Sequence, residues 1–392
     1  MARILIVSFS QLRSDPRVLK QLNYLIQEHE CFTVGYGLSA IKGVPGLSFE
    51  QPPQCILRKA TMAVNLKLRR YKQVYWRFKE LRELRDTLAT MTFDLVVAND
   101  LDSLPFCCAV KGKAKLWFDS HEYSPRQFED RFRWRFWHAP YIRAIAATYI
   151  PRCDAMTTVC QGIADQYQKE YRVQSHIVTN APPYIDIQPS PTPAGKIRMI
   201  HHGIAVPSRG LEVMLAMMPY LDDRFSLDLM LVRRDREMKD YYESLRVHAR
   251  ADKRIGFPDP VPLHQVVSRL NSYDIGLILY EPRNFNLFHS LSNKFFEYLQ
   301  ARLALAIGPS PDMAMIVTRY QCGVISHDFR AKSLATALNV LTHEELVAMK
   351  QRSAAAAKDY CAEADQMVIK EIVHSLLHNR PLRSPPSARL SS

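Results

Sequence analysis

Short, nearly continuous apolar runs recur along this chain, each followed by a stretch with helical spacing, and that alternation constrains it more than any single motif. ARILIVSF opens the chain as a strand covered on both faces should read. SDPRVLKQLNYLIQE follows, with apolar side chains at 18, 19, 22, 25 and 26. FDLVVAND (93–100), AKLWFDSHE (114–122) and CDAMTTVC (153–160) repeat the strand pattern, each with its polar groups gathered at the C-terminal end. Strands alternating with helices imply a parallel sheet, and parallel sheets bind ligands beyond the carboxyl ends of their strands.

The alternation breaks at YIDIQPSPTPAG (184–195), whose three alternate prolines read as a linker. It restarts with KIRMIHHG, FSLDLMLV, DIGLILY and ALAIGPS. The expected class is therefore α/β, two Rossmann-like domains facing across a cleft. The expected division is 1–184, a linker at 185–195, a second domain at 196–360, a C-terminal helix at 361–378 and a disordered tail at 379–392. A chain of 392 residues suits two domains, and 47% apolar residues suit folded ones. No apolar run reaches the ~18 residues of a membrane span. The N-terminal run shows no cleavage site, so no signal peptide is expected. The eight cysteines show no metal spacing and read as reduced thiols of a cytoplasmic protein.

Several residues stand out against this frame. Ser292 is placed as the N-cap of a helix NKFFEYLQA, whose N-terminus suits an anion such as a diphosphate. Lys294 in the first turn opposes the helix dipole, which makes sense if it helps hold a phosphate. Asn293 lies beside it, and Glu297, one turn in, could accept hydrogen bonds from a sugar diol. Arg209, in the turn HHGIAVPSRGLE after Gly203, is a second cation expected at a helix start. Each alone also reads as an ordinary surface residue; two in one domain favour phosphate. Asp102 of DLD reads as an N-cap rather than a metal ligand. His121 and Glu122 leave a strand end in the turn DSHEYSP, and Asp100 leaves another. His121–Glu122 lacks the second histidine of a helical zinc site, so no metal is expected.

The ordered set SDPRVLKQLNYL, VVANDLDSLP, LWFDSHE, VTNAPPY and SLSNKFFEYLQA resembles the GT-B glycosyltransferases, and within them the retaining family 4 group of bacterial polysaccharide and lipopolysaccharide enzymes. The resemblance runs from residue 1 to about 345. It implies transfer of a sugar from a nucleotide-diphosphate donor to a glycan or lipid-linked acceptor, with retention, no cofactor and no metal. It implies that Glu297 holds the nucleotide ribose, that Arg209 and Lys294 meet the diphosphate with Gly203, Ser292 and Asn293 around it, and that His121 faces the donor sugar with Glu122 behind it. Asp15, Arg17 and Asp100 fall on the acceptor side. The sequence departs from the group at His289, where the first glutamate of its paired motif belongs, and at Arg302 and Ala304, usually glycine and proline. A nucleotide-sugar epimerase of the same fold, or a degenerate binding or scaffold subunit, stays open.

Net charge is +13, which bears on partners rather than fold. Nucleic acid is not expected, because the charge is local and no nucleic-acid-binding motif accompanies it. Residues 58–85 hold ten Lys or Arg against Glu80 and Glu83. A helical face of Arg69, Lys72, Trp76 and Lys79 is expected there, beside a core stripe of Val64, Leu68, Tyr71, Tyr75 and Phe78. RFRWRFWHAPYIR (131–143) has the same character. Both suggest peripheral attachment to the anionic inner face of the cell membrane.

Overall fold

The computed structural model describes residues 1–37, 41, 43–50 and 56–382, the side chains of 56–59 excepted. Residues 383–392 of the expected tail lie outside the described residues. The chain forms two compact units: Met1–Val178 with Asn284–Asn286 and the end of the chain from Gln366, and Thr179–Arg283 with Leu287–Asp365.

The first unit is built on seven parallel strands, β1 (Arg3–Ser8), β2 (Glu30–Tyr36), β3 (Gly46–Phe49), β4 (Leu95–Asn99), β5 (Lys115–Ser120), β6 (Ala155–Thr158) and β7 (His176–Ile177). Their order is β3-β2-β1-β4-β5-β6-β7. The order reverses between β1 and β4, where doubly wound sheets place their ligands. Ile4, Leu5, Ile6 and Val7 of β1 have no exposed surface, as their continuous apolar run requires. Asp15 caps the helix Pro16–Leu25 by accepting from the Arg17 amide, and Pro16 occupies its first turn. The last helix, Ala362–Leu377, returns to this unit and sets Ile369, Ile372, Val373 and Leu376 into the core with Ile4, Ile6 and Leu22.

The second unit carries six parallel strands, β8 (Ile197–Ile204), β9 (Phe225–Val232), β10 (Ile255–Gly256), β11 (Ile275–Ile278), β12 (Ala304–Ile307) and β13 (Gly323–Ile325), ordered β10-β9-β8-β11-β12-β13. The four longer runs read from the sequence are β8, β9, β11 and β12. The short edge strands β10 and β13, two and three residues long, carry too little pattern to read.

Two expectations change. The proline-rich segment 185–195 is bonded into the second unit rather than left as free chain. The Ile185 amide donates to Gln300 Oε1 at 3.0 Å, and Arg302 Nη2 donates to its carbonyl at 2.7 Å. Ser190 and Thr192 both meet the Lys350 ammonium. The basic segment is also not one helix. It forms Ile56–Lys67, Tyr71–Tyr75 and Lys79–Leu88, and Arg69 at φ 54° breaks the period. Val64 and Leu68 are consequently exposed, while Val74 and Tyr75 are buried. Trp76 packs near Phe106 beneath the Arg85 guanidinium.

Lys350 pairs with Asp274 at 2.9 Å, with side chains only 2% and 0% exposed. Arg198 Nε donates to the other Asp274 oxygen at 3.1 Å. Burial works to depress the Lys350 ammonium, and Asp274 opposes it. Removing one partner strands the other charge in the core. Lys350→Met should therefore destabilise the second unit by about 3–5 kcal/mol, measured by denaturant unfolding.

Candidate active site

In the first unit the register sets polar strand ends side by side. Ser8 pairs with Asn99, Asn99 with Asp119 and Asp119 with Thr157 across β1, β4, β5 and β6. Asn99 Nδ2 donates to Gln21 Oε1 at 3.1 Å, and Gln21 Nε2 donates to Asp119 Oδ2 at 3.3 Å. Thr157 Oγ1 donates to Asp119 Oδ1 at 2.5 Å and accepts from Trp117 Nε1 at 2.8 Å. The chain then turns at Asp100, held at φ 61°, a conformation few non-glycine residues adopt.

His121 lies inside this frame. Its Nδ1 is 3.2 Å from Asp100 Oδ1, and its Nε2 is 3.2 Å from Asp119 Oδ2. Each nitrogen faces a carboxylate oxygen and needs a proton to bond it, so the ring is an imidazolium. Burial alone would lower its pKa; Asp119 and Asp100 outweigh burial and raise it to about 10. Burial likewise works to raise Asp100, and His121 and Arg17 bring it below the usual carboxylate range. Arg17 reaches Asp15 at 3.3 Å and Asp100 Oδ2 at 3.7 Å. The structure thus brings Asp15, Arg17, Asp100 and His121 together. Glu122 is exposed and is not among the partners of His121.

This geometry changes what His121 can do. Its side chain is only 6% exposed, against 36% for Asp100 and 34% for Arg17. With both nitrogens committed, it cannot act as a base toward a ligand. The groups open to one are Asp100 and Arg17.

In the second unit the helix Asn293–Gln300 is positioned by Tyr298. A Cβ on Gly276 of β11 would lie 2.3 Å from the Tyr298 ring, so only glycine lets the ring rest against the strand. The Tyr298 hydroxyl accepts from the His202 amide at 3.3 Å and braces the end of β8. There Gly203 takes φ 138°, and a Cβ would meet Lys294 Cε at 3.3 Å and Nζ at 3.5 Å. Lys294 therefore lies across the end of β8. Burial first, and then Arg209, pull its pKa down to about 8. Burial and Lys294 also keep His201 neutral, with Nδ1 against the Leu277 carbonyl at 2.8 Å.

Arg209 stands over the Tyr280 ring at 5.2 Å, and its Nη1 is buried without a hydrogen-bond partner. Ser292 occupies the N-cap position, but its buried hydroxyl makes no cap bond, contrary to expectation. Among the described residues neither Arg209 nor Lys294 has a carboxylate at ion-pair distance. Glu297 Oε2 lies 3.1 Å from His202 Nε2 without hydrogen-bond geometry. Arg209 is not at the start of a substantial helix, since Glu212–Leu215 is a single turn after Gly210. Asp102 is not a cap either; Ser103 precedes the helix Leu104–Val110. His289 bonds Asp312 through Nδ1 at 2.7 Å, and Asp312 is buried in the first turn of the helix Pro311–Tyr320. The sequence reading placed Asp119 in the polar turn DSHEYSP but missed Gln21, Asn99 and Thr157 in the first unit, and His202, Tyr280 and Asp312 in the second. Apart from Gln21, which lies in mid-helix, their signal was polarity at strand and helix ends, but their pairings depend on register.

Two substitutions test these pairs. His121 has a folded pKa near 10, above its ordinary value, so its stabilisation is complete below about pH 6.5 and disappears as pH rises through 10. The stability gap between wild type and His121→Gln should reach ~3 kcal/mol near pH 6 and narrow steadily towards pH 10, in unfolding curves taken across that range. His289→Glu sets a carboxylate against buried Asp312 and should lower stability by ~1–3 kcal/mol, and His289→Glu with Asp312→Asn should recover most of it in the same assay.

Residues 49–189 match the family model described as Glycosyltransferase Family 4. Comparison with curated protein sequences finds no match. Among solved structures, the chain is similar to sucrose-phosphate synthase from Thermosynechococcus elongatus, with TM-score 0.70 and 11% identity over 97% of this chain and 100% of that one. It is similar to HepE of Anabaena, solved in complex with UDP and glucose, with TM-score 0.65 and 12% identity over 96% and 100%. A glycosyltransferase from Rickettsia africae gives TM-score 0.65 and 11% identity over 96% and 99%. At these identities the likeness establishes the fold, that of the GT-B glycosyltransferases, and the family match adds that residues 49–189 are similar to a Glycosyltransferase Family 4 domain.

Proposed function

We propose that this glycosyltransferase takes a sugar from a nucleotide-diphosphate donor and passes it to a glycan or lipid-linked acceptor of cell-surface polysaccharide or glycoconjugate synthesis. The observation that carries the reading is the pair Arg209 and Lys294, two cations without carboxylate partners among the described residues, with Arg209 Nη1 buried and unbonded. Leaving a buried guanidinium donor unmade is costly, and an anionic ligand satisfies it. The same two cations stabilise the charge that develops on a departing diphosphate, which is why no metal is invoked. Gly203, Ser292 and Asn293 surround that position, and Glu297 takes the ribose. That HepE of Anabaena was solved with UDP-glucose supports a nucleotide-sugar donor. Asp15, Arg17 and Asp100 offer acceptors and a donor to acceptor hydroxyls. His121 fixes Asp100 in place, and Glu122 is a lesser contact. Transfer proceeds with retention, and the protein works at the cytoplasmic face of the cell membrane, held peripherally on anionic lipid.

One observation favours a second reading, a nucleotide-binding subunit without turnover. His289 stands where the resemblance places a carboxylate, and it is committed to Asp312. Release of nucleoside diphosphate in step with glycoside formation supports transfer; nucleotide binding without release supports the second reading. An epimerase would convert the donor with no stoichiometric release.

Calorimetric titration with a panel of nucleoside diphosphates tests the site itself. Arg209→Ala and Lys294→Ala should each weaken the best ligand by about 10–100-fold, the loss of one charge-assisted contact. A diphosphate favours charged Lys294, whose own pKa is about 8. Affinity should therefore hold below pH 8 and fall above it, and Lys294→Arg should remove that fall. Unchanged affinity in both alanine variants would falsify the donor-site assignment.

A further inference from the structure

Helix Phe132–Trp137 of the first unit buries none of its residues, although it packs against Ile56–Lys67 and Ala139–Tyr149. Phe132 is 74% exposed and Phe136 66%, one helical turn apart and so on the same side. Val64 and Leu68, exposed at 57% and 54%, lie at the end of the neighbouring helix. Large exposed rings gathered in one region mark a docking surface.

The charges around these rings are mostly positive: Glu129 is paired with Arg126, and the exposed Asp130 precedes the helix. Residues 131–143 contain Arg131, Arg133, Arg135 and Arg143 and no acid, and residues 60–79 contain none either. The Arg135 guanidinium lies 5.9 Å from the Phe132 centroid, and Arg131 lies 5.0 Å from that of Phe128. Rings flanked by arginines that keep their heads in water are the arrangement of a helix lying at a lipid interface. After Ile56–Lys67 in the chain, the helix Tyr71–Tyr75 sets Tyr71 against Tyr141, with centroids 5.6 Å apart. It carries Lys72 into a surface depression of about 380 Å³, which Gln73, Trp76, Arg77, Arg82 and Arg85 also line. Arg85 is paired with Asp86 and Arg82 with the Trp76 carbonyl. Lys72 has no ion-pair partner among the described residues, and Arg77 bonds only the Val74 carbonyl.

We propose that this face docks on an anionic lipid surface, with Phe132 and Phe136 entering the boundary between headgroups and acyl chains and Lys72 and Arg77 holding a lipid phosphate. The proposal deepens the membrane attachment inferred above and rests on it. It also moves the inserted rings of the expected face of Arg69, Lys72, Trp76 and Lys79 to Phe132 and Phe136, because Trp76 is half-buried against Tyr75 and Phe106. Rings supply the insertion, and charge supplies the selectivity for anionic lipid.

Co-sedimentation of the full chain with phosphatidylglycerol–phosphatidylcholine vesicles and with phosphatidylcholine vesicles tests it. Wild type should bind the mixed vesicles at least about tenfold more tightly, and less so at high salt. Phe132→Ser with Phe136→Ser should weaken that binding by about tenfold or more. Lys72→Ala and Arg77→Ala should each weaken it by about fivefold. All these variants should melt with wild type and keep its nucleoside-diphosphate affinity, which separates this surface from the donor site. Should the ring variant misfold, Arg133→Glu with Arg135→Glu probes the same helix and should abolish binding. No wild-type binding overturns membrane attachment altogether. Undiminished binding in the variants keeps attachment and overturns this face. Equal binding to both vesicles overturns the anionic partner. A dimer that the ring variant dissociates in sedimentation velocity overturns it as well, since a second copy then covers the rings.

Discussion

A strand in a parallel sheet covered on both faces can carry polar chemistry only at its ends, and both candidate sites follow from that constraint. Every residue of β4, Asn99 included, is buried, so Asp100 is the first position beyond its carboxyl end where the chain can display a charge. Because β1, β4, β5 and β6 run in the same direction, their ends arrive together as Ser8, Asn99, Asp119 and Thr157. An antiparallel sheet would have scattered the same residues to opposite edges. In the second unit the end of β8 runs through His201, His202 and Gly203 to Ile204, and the helix carrying Lys294 and Glu297 begins against it.

The two units treat their charges differently. In the first, the cations His121 and Arg17 are ringed by Asp15, Asp100 and Asp119, and the network is close to internally satisfied. Such a network is rigid and presents fixed acceptors, which suits hydroxyl recognition. In the second, burial and the neighbouring Arg209 lower the Lys294 pKa, and the nearby carboxylate, Glu297, faces His202. A positive site without its own counter-ion is poised for an anion that comes and goes. Preorganised acceptors in one unit and unmet donors in the other are a division of labour that a transferase of two substrates can use.

Much of this was legible in the chain itself. Continuous apolar runs marked β1, β4, β5, β6, β8, β9, β11 and β12, because a strand covered on two faces has no alternation to confuse it with a helix. Lys294 was legible through its misfit with the dipole of its own helix. Arg209 was picked out for a helix that proves to be one turn, so its significance comes from burial over Tyr280 instead. Asp119 was not legible as a partner of His121, nor Gln21 and Thr157 as partners of Asp119, since Gln21 and Thr157 lie 98 and 38 residues from it and only register joins them. The proline-rich segment read as a linker because composition reports stiffness, not attachment. Its bonds to Lys350, Arg302 and Gln300 are long-range.

The departures from the family pattern are physically coherent when taken with their partners. Arg302 stands at φ 60°, the left-handed conformation for which glycine is favoured after a helix. It tolerates that strain because its guanidinium is buried and donates to the carbonyls of Leu299, Gln300 and Ile185. It thus satisfies acceptors that a helix end leaves open and ties the 185–195 segment to the helix below it. His289 is similar in kind. Asp312 sits in the first turn of its helix, where a carboxylate favours the dipole, and burial then demands a hydrogen-bond donor. His289 supplies that donor; a glutamate at the same position would not. Each unusual residue therefore answers a requirement set elsewhere in the second unit, which is why neither could be interpreted from its own position in the sequence.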